Sequence, residues 1–395
     1  MKRYKWVFLI LVSGVIYSCK GTSEEELVGD WQRRQGVHGS GRCHAATFII
    51  AEKGYLISGY NGSNVLLSEV QEFDPEASDK GVWKEMPDLP NEIPARQQAI
   101  GFSVRGKGYI GTGWSFALNA DKDSTLRDFW QFDPTKYDRD NNVYKEGAWE
   151  EVAPLPVGKN RRGAIAFSLK INGEEFGFVG CGYTGEPKRV SLQDFWMFDP
   201  TGTTIDGGKT YKGEWTPLDG YGGGKRAGAS VFVIDNKAYI CVGEHNSNNI
   251  TDFWMFDPNA SGNKWVQLMQ MADANKDEDY DDDYGSLRRA YGAAFVAKVS
   301  GESRGHIVCG KLISSATSTN WEYNHNPVNE NGDLWAQRTQ FYNHMSGNGR
   351  EGMISFSFAS GRAFVGLGKS GANYYADDLW EFIPLIEDYT YNDYE

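Results

Sequence analysis

A seven-residue run that returns at intervals along the chain limits the possible folds more than any other feature. DFWMFDP stands at Asp194 to Pro200 and again at Asp252 to Pro258, DFWQFDP at Asp128 to Pro134, EVQEFDP at Glu69 to Pro75 and DLWEFIP at Asp378 to Pro384. A degenerate sixth copy, NWEYN, lies at Asn320 to Asn324. Apolar and polar residues alternate within each copy, which predicts a strand, and Asp-Pro predicts the turn that ends it. Upstream of each copy an apolar run ends in glycine, at Gly59, Gly113, Gly182, Gly243, Gly310 and Gly368, and reads as a second strand closing on a tight bend. Further upstream stands an arginine with phenylalanine six residues on: RCHAATF, RQQAIGF, RRGAIAF, RAGASVF, RAYGAAF and REGMISF. The small residues between them suit an innermost strand crowded around an axis.

A fourth strand, carrying Trp83, Trp149, Trp215, Trp265 or Trp335, follows the third in five repeats, and none follows Pro384. The missing copy is Gly29-Asp30-Trp31-Gln32, ahead of the first arginine. The N-terminal strand is therefore expected to complete the last repeat and close a ring, which removes exposed sheet edges. The expected fold is all-β: a six-bladed β-propeller over residues 28–385, with an acidic tail over 386–395. Forty-seven glycines and an aromatic share of 14% suit short strands, tight turns and flat side chains between sheets. The tryptophans and phenylalanines of the repeats read as core between blades.

Residues 1–18 form a separate unit: basic Lys2, Arg3 and Lys5, an apolar stretch from Val7 to Ile16, then Ser18 before Cys19. This reads as a secretion signal, too short in its apolar part for a membrane span. Ile16-Tyr17-Ser18-Cys19 resembles a bacterial lipoprotein cleavage box, which implies lipidation of Cys19, a tether over 19–27 and an outer-membrane lipoprotein, periplasmic or surface-exposed. Tyr17 departs from the small residue usual there. Cys43, Cys181, Cys241 and Cys309 fall in different repeats, on inner strands by this reading, and are expected as free buried thiols. No CxxC pair suggests structural zinc.

The repeat architecture, with a glycine-ended second strand, an aromatic-Asp-Pro third strand and a tryptophan fourth strand, resembles the kelch repeat over essentially the whole chain after the signal. The double glycine usual in that family is here a Gly-x-Gly or a single glycine. The resemblance implies a superfamily that holds galactose-oxidase-like copper enzymes, sialic acid mutarotases and many non-catalytic binding modules, so fold leaves function open. The six histidines, His38, His44, His245, His306, His325 and His344, include no adjacent Tyr-His pair, which speaks against copper chemistry. No cofactor or metal is expected.

Topology places a site. The connections from fourth to first strand and from second to third share one face of the ring. Arg42, Arg96, Arg161, Arg226, Arg289 and Arg350 open the first strands there, and Tyr60, Trp114, Tyr183, Glu244, Lys311 and Lys369 follow the second, with His245 and Asn246 alongside. These residues offer bidentate donors for an anion and aromatic faces for a sugar ring. The same register also fits a structural pair within each blade, since Glu69, Asp128, Asp194, Asp252 and Asp378 open the third strands. In the fifth repeat Thr319 takes the acid's place, which makes Arg289, with Lys311 nearby, the first choice for an anion contact. Asp277 to Asp283 alternates carboxylates as a calcium loop would, but lacks the closing glutamate of a helix-loop-helix site and reads as a solvated loop.

A net charge of −13 excludes sequence-independent nucleic-acid binding. The leading functional expectation is a lipid-anchored propeller binding a glycan or an envelope protein at its channel mouth, helped by the loops Phe116 to Thr125 and Lys311 to Thr319. The second is a mutarotase or epimerase acting on an acidic sugar such as sialic acid, with Glu244, paired with Arg226 or His245, as its acid and base.

Overall fold

Each repeat folds as a four-stranded antiparallel sheet, and six such sheets form a β-propeller. The computed structural model describes residues 27–116, 124–185, 189–273, 282–326, 334–341 and 349–384. The signal, Cys19, the tail after 385 and Asp277 to Asp281 lie outside these residues. Blade one shows the pattern, from the channel outward: Ala46–Ile50, Lys53–Ile57, Val70–Asp74 and Val82–Glu85. Among the described residues there is no α-helix, and two short 3₁₀ turns stand at Pro134–Lys136 and Tyr284–Leu287.

Closure follows the expected route. Asp30–Arg34 pairs antiparallel with Leu379–Ile383, Trp31 opposite Phe382, and supplies the outer strand of blade six. Trp31 is buried against Phe295, Phe341 and Phe382, and its indole N–H donates to the Thr339 carbonyl at 3.0 Å.

The phenylalanine six residues after each arginine explains how neighbouring sheets pack. Phe48, Phe102, Phe167 and Phe232 stack on an aromatic ring of their own second strand: Tyr55, Tyr109, Phe178 and Tyr239. Into each pair wedges an aromatic from the third strand of the next blade: Phe132, Phe198, Phe256 and Tyr323. Blade five uses His306 stacked on Phe295, with Phe382 as the wedge. The glycine inside a second strand is required by this approach; a Cβ at Gly54 would sit 2.7 Å from the Phe356 ring.

Asp-Pro turns work through the aspartate. Asp74, Asp133 and Asp257 each accept a backbone N–H from the residue two positions on, which bends the chain out of the sheet. In blade three the expected strand end is overridden. Asp199 makes the same bond to Thr201, but the strand bulges between Asp199 and Thr203 and continues to Asp206. Thr203-Thr204-Ile205 favours strand, and Gly207 and Gly208, both at positive φ, supply a hairpin tip further out.

Candidate functional site

All six register arginines are 0% exposed, and this corrects the expectation that they circle the mouth as ligand donors. Each guanidinium is engaged inside its own blade; of the six Nε groups, that of Arg350 alone lacks a partner among the described residues. One nitrogen donates to the carbonyl just before the terminal glycine of the second strand, as Arg161 does to Cys181 at 3.1 Å and Arg226 to Val242 at 2.9 Å. That carbonyl belongs to a residue at positive φ (Ser58, Thr112, Cys181, Val242, Cys309 or Leu367), turned out of the ladder, so the arginine meets an acceptor left without a strand partner. In five blades Nε reaches back to the carbonyl two residues earlier: Ser40, Pro94, Lys159, Gly224 and Leu287. The remaining donors take the acid opening the third strand. Arg96 forks onto Asp128 at 2.8 and 2.7 Å and Arg161 onto Asp194 at 2.9 and 3.1 Å; Arg350 likewise forks onto Asp378, and Arg42 pairs with Glu69 and Arg226 with Asp252. The arginine is a brace tying three segments of one blade.

Arg289, expected to contact an anion, is a correction of its own. Its donors go to the carbonyls of Ser286, Leu287, Cys309 and Thr319 and to the Thr319 hydroxyl at 2.7 Å. Neutral dipoles replace the missing carboxylate, and burial pushes its pKa down to about 10.

The residues after the terminal glycines do circle one mouth. Each bridges to the residue following an arginine: Tyr60 to Cys43, Trp114 to Gln97, Tyr183 to Arg162, Glu244 to Ala227, Lys311 to Ala290 and Lys369 to Glu351. Two closed rings of backbone hydrogen bonds join the blades beneath them. In the outer ring each terminal glycine donates to the next blade's arginine carbonyl, from Gly59 to Arg96 at 3.0 Å round to Gly368 to Arg42 at 2.8 Å. In the inner ring the residue two after each arginine donates to its counterpart in the preceding blade: Gln98 to His44, Gly163 to Gln98, Gly228 to Gly163, Tyr291 to Gly228, Gly352 to Tyr291 and His44 to Gly352, at 2.8 to 3.0 Å. All six inner-ring residues have positive φ, which is why three are glycine.

The other three, His44, Gln98 and Tyr291, supply the side chains in the throat, and sequence reasoning missed them. The signal lay in the third position of each arginine run, which reads H, Q, G, G, Y, G. His44 and Tyr291 meet edge to face at 5.4 Å over a cavity of about 140 Å³ floored by small residues such as Ala45, Ala99 and Ala164. The Tyr291 hydroxyl donates to Glu244 Oε1 at 3.4 Å, and Lys311 Nζ lies 3.5 Å from Glu244 Oε2. The Tyr183 hydroxyl donates to Gln98 at 3.1 Å. Arg162 lies over both Trp114, at 5.5 Å, and Tyr183, at 4.8 Å, and Arg189 lies over Tyr183 at 4.9 Å.

Burial lowers the His44 pKa to about 4, with the charges of Lys369 and Arg162 acting the same way, so the imidazole is neutral near pH 7. Burial, with Glu244 and Tyr183, holds the Tyr291 hydroxyl well above its ordinary range and therefore protonated. The mouth thus gathers Arg162, Arg189, Lys311 and Lys369 against Glu244 and Glu351, a positive locality on an acidic chain. His245 and Asn246 stand at a hairpin tip, Glu244–His245 against Asn248–Asn249, where Asn246 contacts His245 Nε2 at 3.1 Å. Arg226, matched with Glu244 by sequence, is instead sealed against Asp252.

The channel's opposite end opens into about 710 Å³ between the inner strands, lined by residues such as Thr47, Ser103, Ser168 and Ser355. Ser168 and Ser355 spend their hydroxyls on the carbonyls of Ser103 and Ala294 in neighbouring blades, so that end serves closure. Among the described residues no cluster of three or more His, Cys, Asp or Glu side chains is placed to hold a metal ion, and no helix is long and apolar enough to cross a membrane. Cys43, Cys181, Cys241 and Cys309 are free and buried; Cys181, Cys241 and Cys309 lie at the mouth-side ends of the second strands rather than on the innermost ones, and Cys43 leads into the innermost strand of blade one.

No protein-family model matches the sequence, and no curated protein does. Among solved structures the chain is similar to one titled "Structure of YjhT", with a TM-score of 0.61 and 13% identity, covering 88% of this chain and 96% of that one. At that identity the likeness is one of fold.

Proposed function

We propose that the repeats are of the kelch type and that the protein binds an acidic carbohydrate at the mouth formed by Tyr60, Trp114, Tyr183, Glu244, Lys311 and Lys369. The observation that carries this reading is Arg162 lying over Trp114 and Tyr183 with Arg189 beside them. The half-buried rings of Tyr60 and Trp114 offer faces to the C–H side of a sugar, and the guanidiniums gathered beside them attract its carboxylate. A lipidated Cys19 would hold this face in the cell envelope.

Titration calorimetry with N-acetylneuraminate, galacturonate and galactose tests the reading. The two acids bind and galactose does not, and Arg162→Ala weakens the acids at least tenfold, since a charge-assisted bidentate contact is worth about 1.5–3 kcal/mol. Equal binding of acid and neutral sugar, or of none, removes it.

A second reading, mutarotation of the bound sugar, draws on the Tyr291–Glu244 contact. Tyr291 orients the Glu244 carboxylate, which takes the proton of the anomeric hydroxyl as the ring C–O bond breaks. The Lys311 ammonium beside it gives a proton to the ring oxygen, and the reverse transfers reclose the ring as the other anomer. Acceleration of anomer exchange in proton NMR that Glu244→Gln abolishes supports catalysis; binding without acceleration leaves a binding module.

A further inference from the structure

The mouth does not end at Lys311. A groove of about 370 Å³ runs between blades four and five, lined by Asn248, Asn249, Arg288, Ile313, Ser315 and Thr317 among others. One wall is the Glu244–Asn249 hairpin and the other is the loop that Leu312 and Ser315 close with a 2.7 Å backbone bond. The groove joins the mouth directly: Asn249 donates to the Lys311 carbonyl at 3.4 Å, while the Lys311 ammonium faces Glu244 within the mouth.

Its lining differs in kind from the channel. Two carboxamides and several hydroxyls supply donors and acceptors in pairs, as vicinal sugar hydroxyls require, and Ile313, 67% exposed, supplies an apolar surface among them. Arg288 anchors its Nε on Gly285 at 2.9 Å and forms no salt bridge among the described residues, which leaves a cation at the groove for a second acidic group. An isolated exposed isoleucine needs no explanation, but one set among carboxamides, hydroxyls and a guanidinium in a concave site matches the amphipathic faces of a pyranose.

We infer that this groove is a second saccharide subsite, so that the ligand is an acidic oligosaccharide with one unit in the mouth and the next between blades four and five. The inference rests on the reading of the mouth as an acidic-sugar site. Its ligand class is a chain of linked sugar acids rather than a free monosaccharide, and its gain in affinity comes from joining two subsites on one molecule.

Calorimetry on the full chain compares galacturonic acid with its α-1,4-linked dimer and trimer, and N-acetylneuraminic acid with its α-2,8-linked dimer and trimer. In at least one series, affinity rises tenfold or more from monomer to trimer. Arg288→Ala reduces that gain, and Ser314→Trp, at an exposed position on the loop, fills the groove and abolishes it; neither changes the affinity for the monomer. Monomer and trimer binding equally in both series, or a gain that survives Ser314→Trp, overturns the subsite and leaves the mouth reading standing. Failure of every acid to bind the unmodified protein overturns both.

Discussion

At the scale of single residues the arginine brace sets the energetics of a blade. Asp194, held by Arg161 and Lys159, has its pKa drawn from 3.8 down to about 2 despite the opposing effect of burial. A depressed carboxylate stabilises the fold above its unfolded pKa and loses that contribution as pH falls through the folded value. Asp194→Asn should therefore cost roughly 2 kcal/mol at pH 7, and the gap from the unsubstituted protein should close between pH 4 and 2 in denaturant titrations. Arg289 gives the converse case, a buried guanidinium solvated only by neutral oxygens. Thr319→Asp restores the acid that the other blades carry and should raise stability by about 1–2 kcal/mol, read as a higher denaturation midpoint. A loss instead would mean that the Thr319 hydroxyl and carbonyl already satisfy the site.

At the scale of elements the inner ring couples fold to site. Gly228 lies under Tyr291 at φ +60, and a Cβ there would stand 2.7 Å from the Tyr291 ring. Gly228→Ala should cost about 1 kcal/mol in backbone strain and also lift Tyr291 from Glu244, so acidic-sugar affinity should fall while the rest of the propeller persists. Thermal melts beside calorimetry separate the two effects; unchanged affinity would remove Tyr291 from the site. The strands, their glycine bends and the ring of post-glycine residues were legible because each repeats in register. Direction was not. Alignment placed the six arginines near the mouth and left two directions open, toward a ligand or toward the acid of the same blade; the five in-blade pairs show the second. The throat was hidden for a related reason: His44, Gln98 and Tyr291 lie where a left-handed backbone aims side chains across the axis, and only the structure shows that φ. In blade three the Asp-Pro signal lost to the strand preference of the threonines beyond it.

At the scale of the whole molecule, closure depends on one short strand far from its partner in sequence. Asp30–Arg34 contributes five paired residues to blade six, and its Trp31 seals the junction with blade five by packing on Phe295 and reaching Thr339. Without it the Leu379–Ile383 strand becomes an exposed edge, and blade six can no longer brace blade five from one side and blade one from the other. Trp31→Ala should accordingly cost roughly 3–5 kcal/mol, as for a large buried aromatic. The loss should also be uneven: amides of Asp30–Arg34 and Leu379–Ile383 should exchange with solvent fastest, those of blades two to four last. Uniform acceleration would mean that the ring opens as one unit. Preserved protection throughout would place the closing energy in the backbone rings of the mouth, where two of the twelve inter-blade hydrogen bonds, Gly368 to Arg42 and His44 to Gly352, join blade six to blade one without the N-terminal strand.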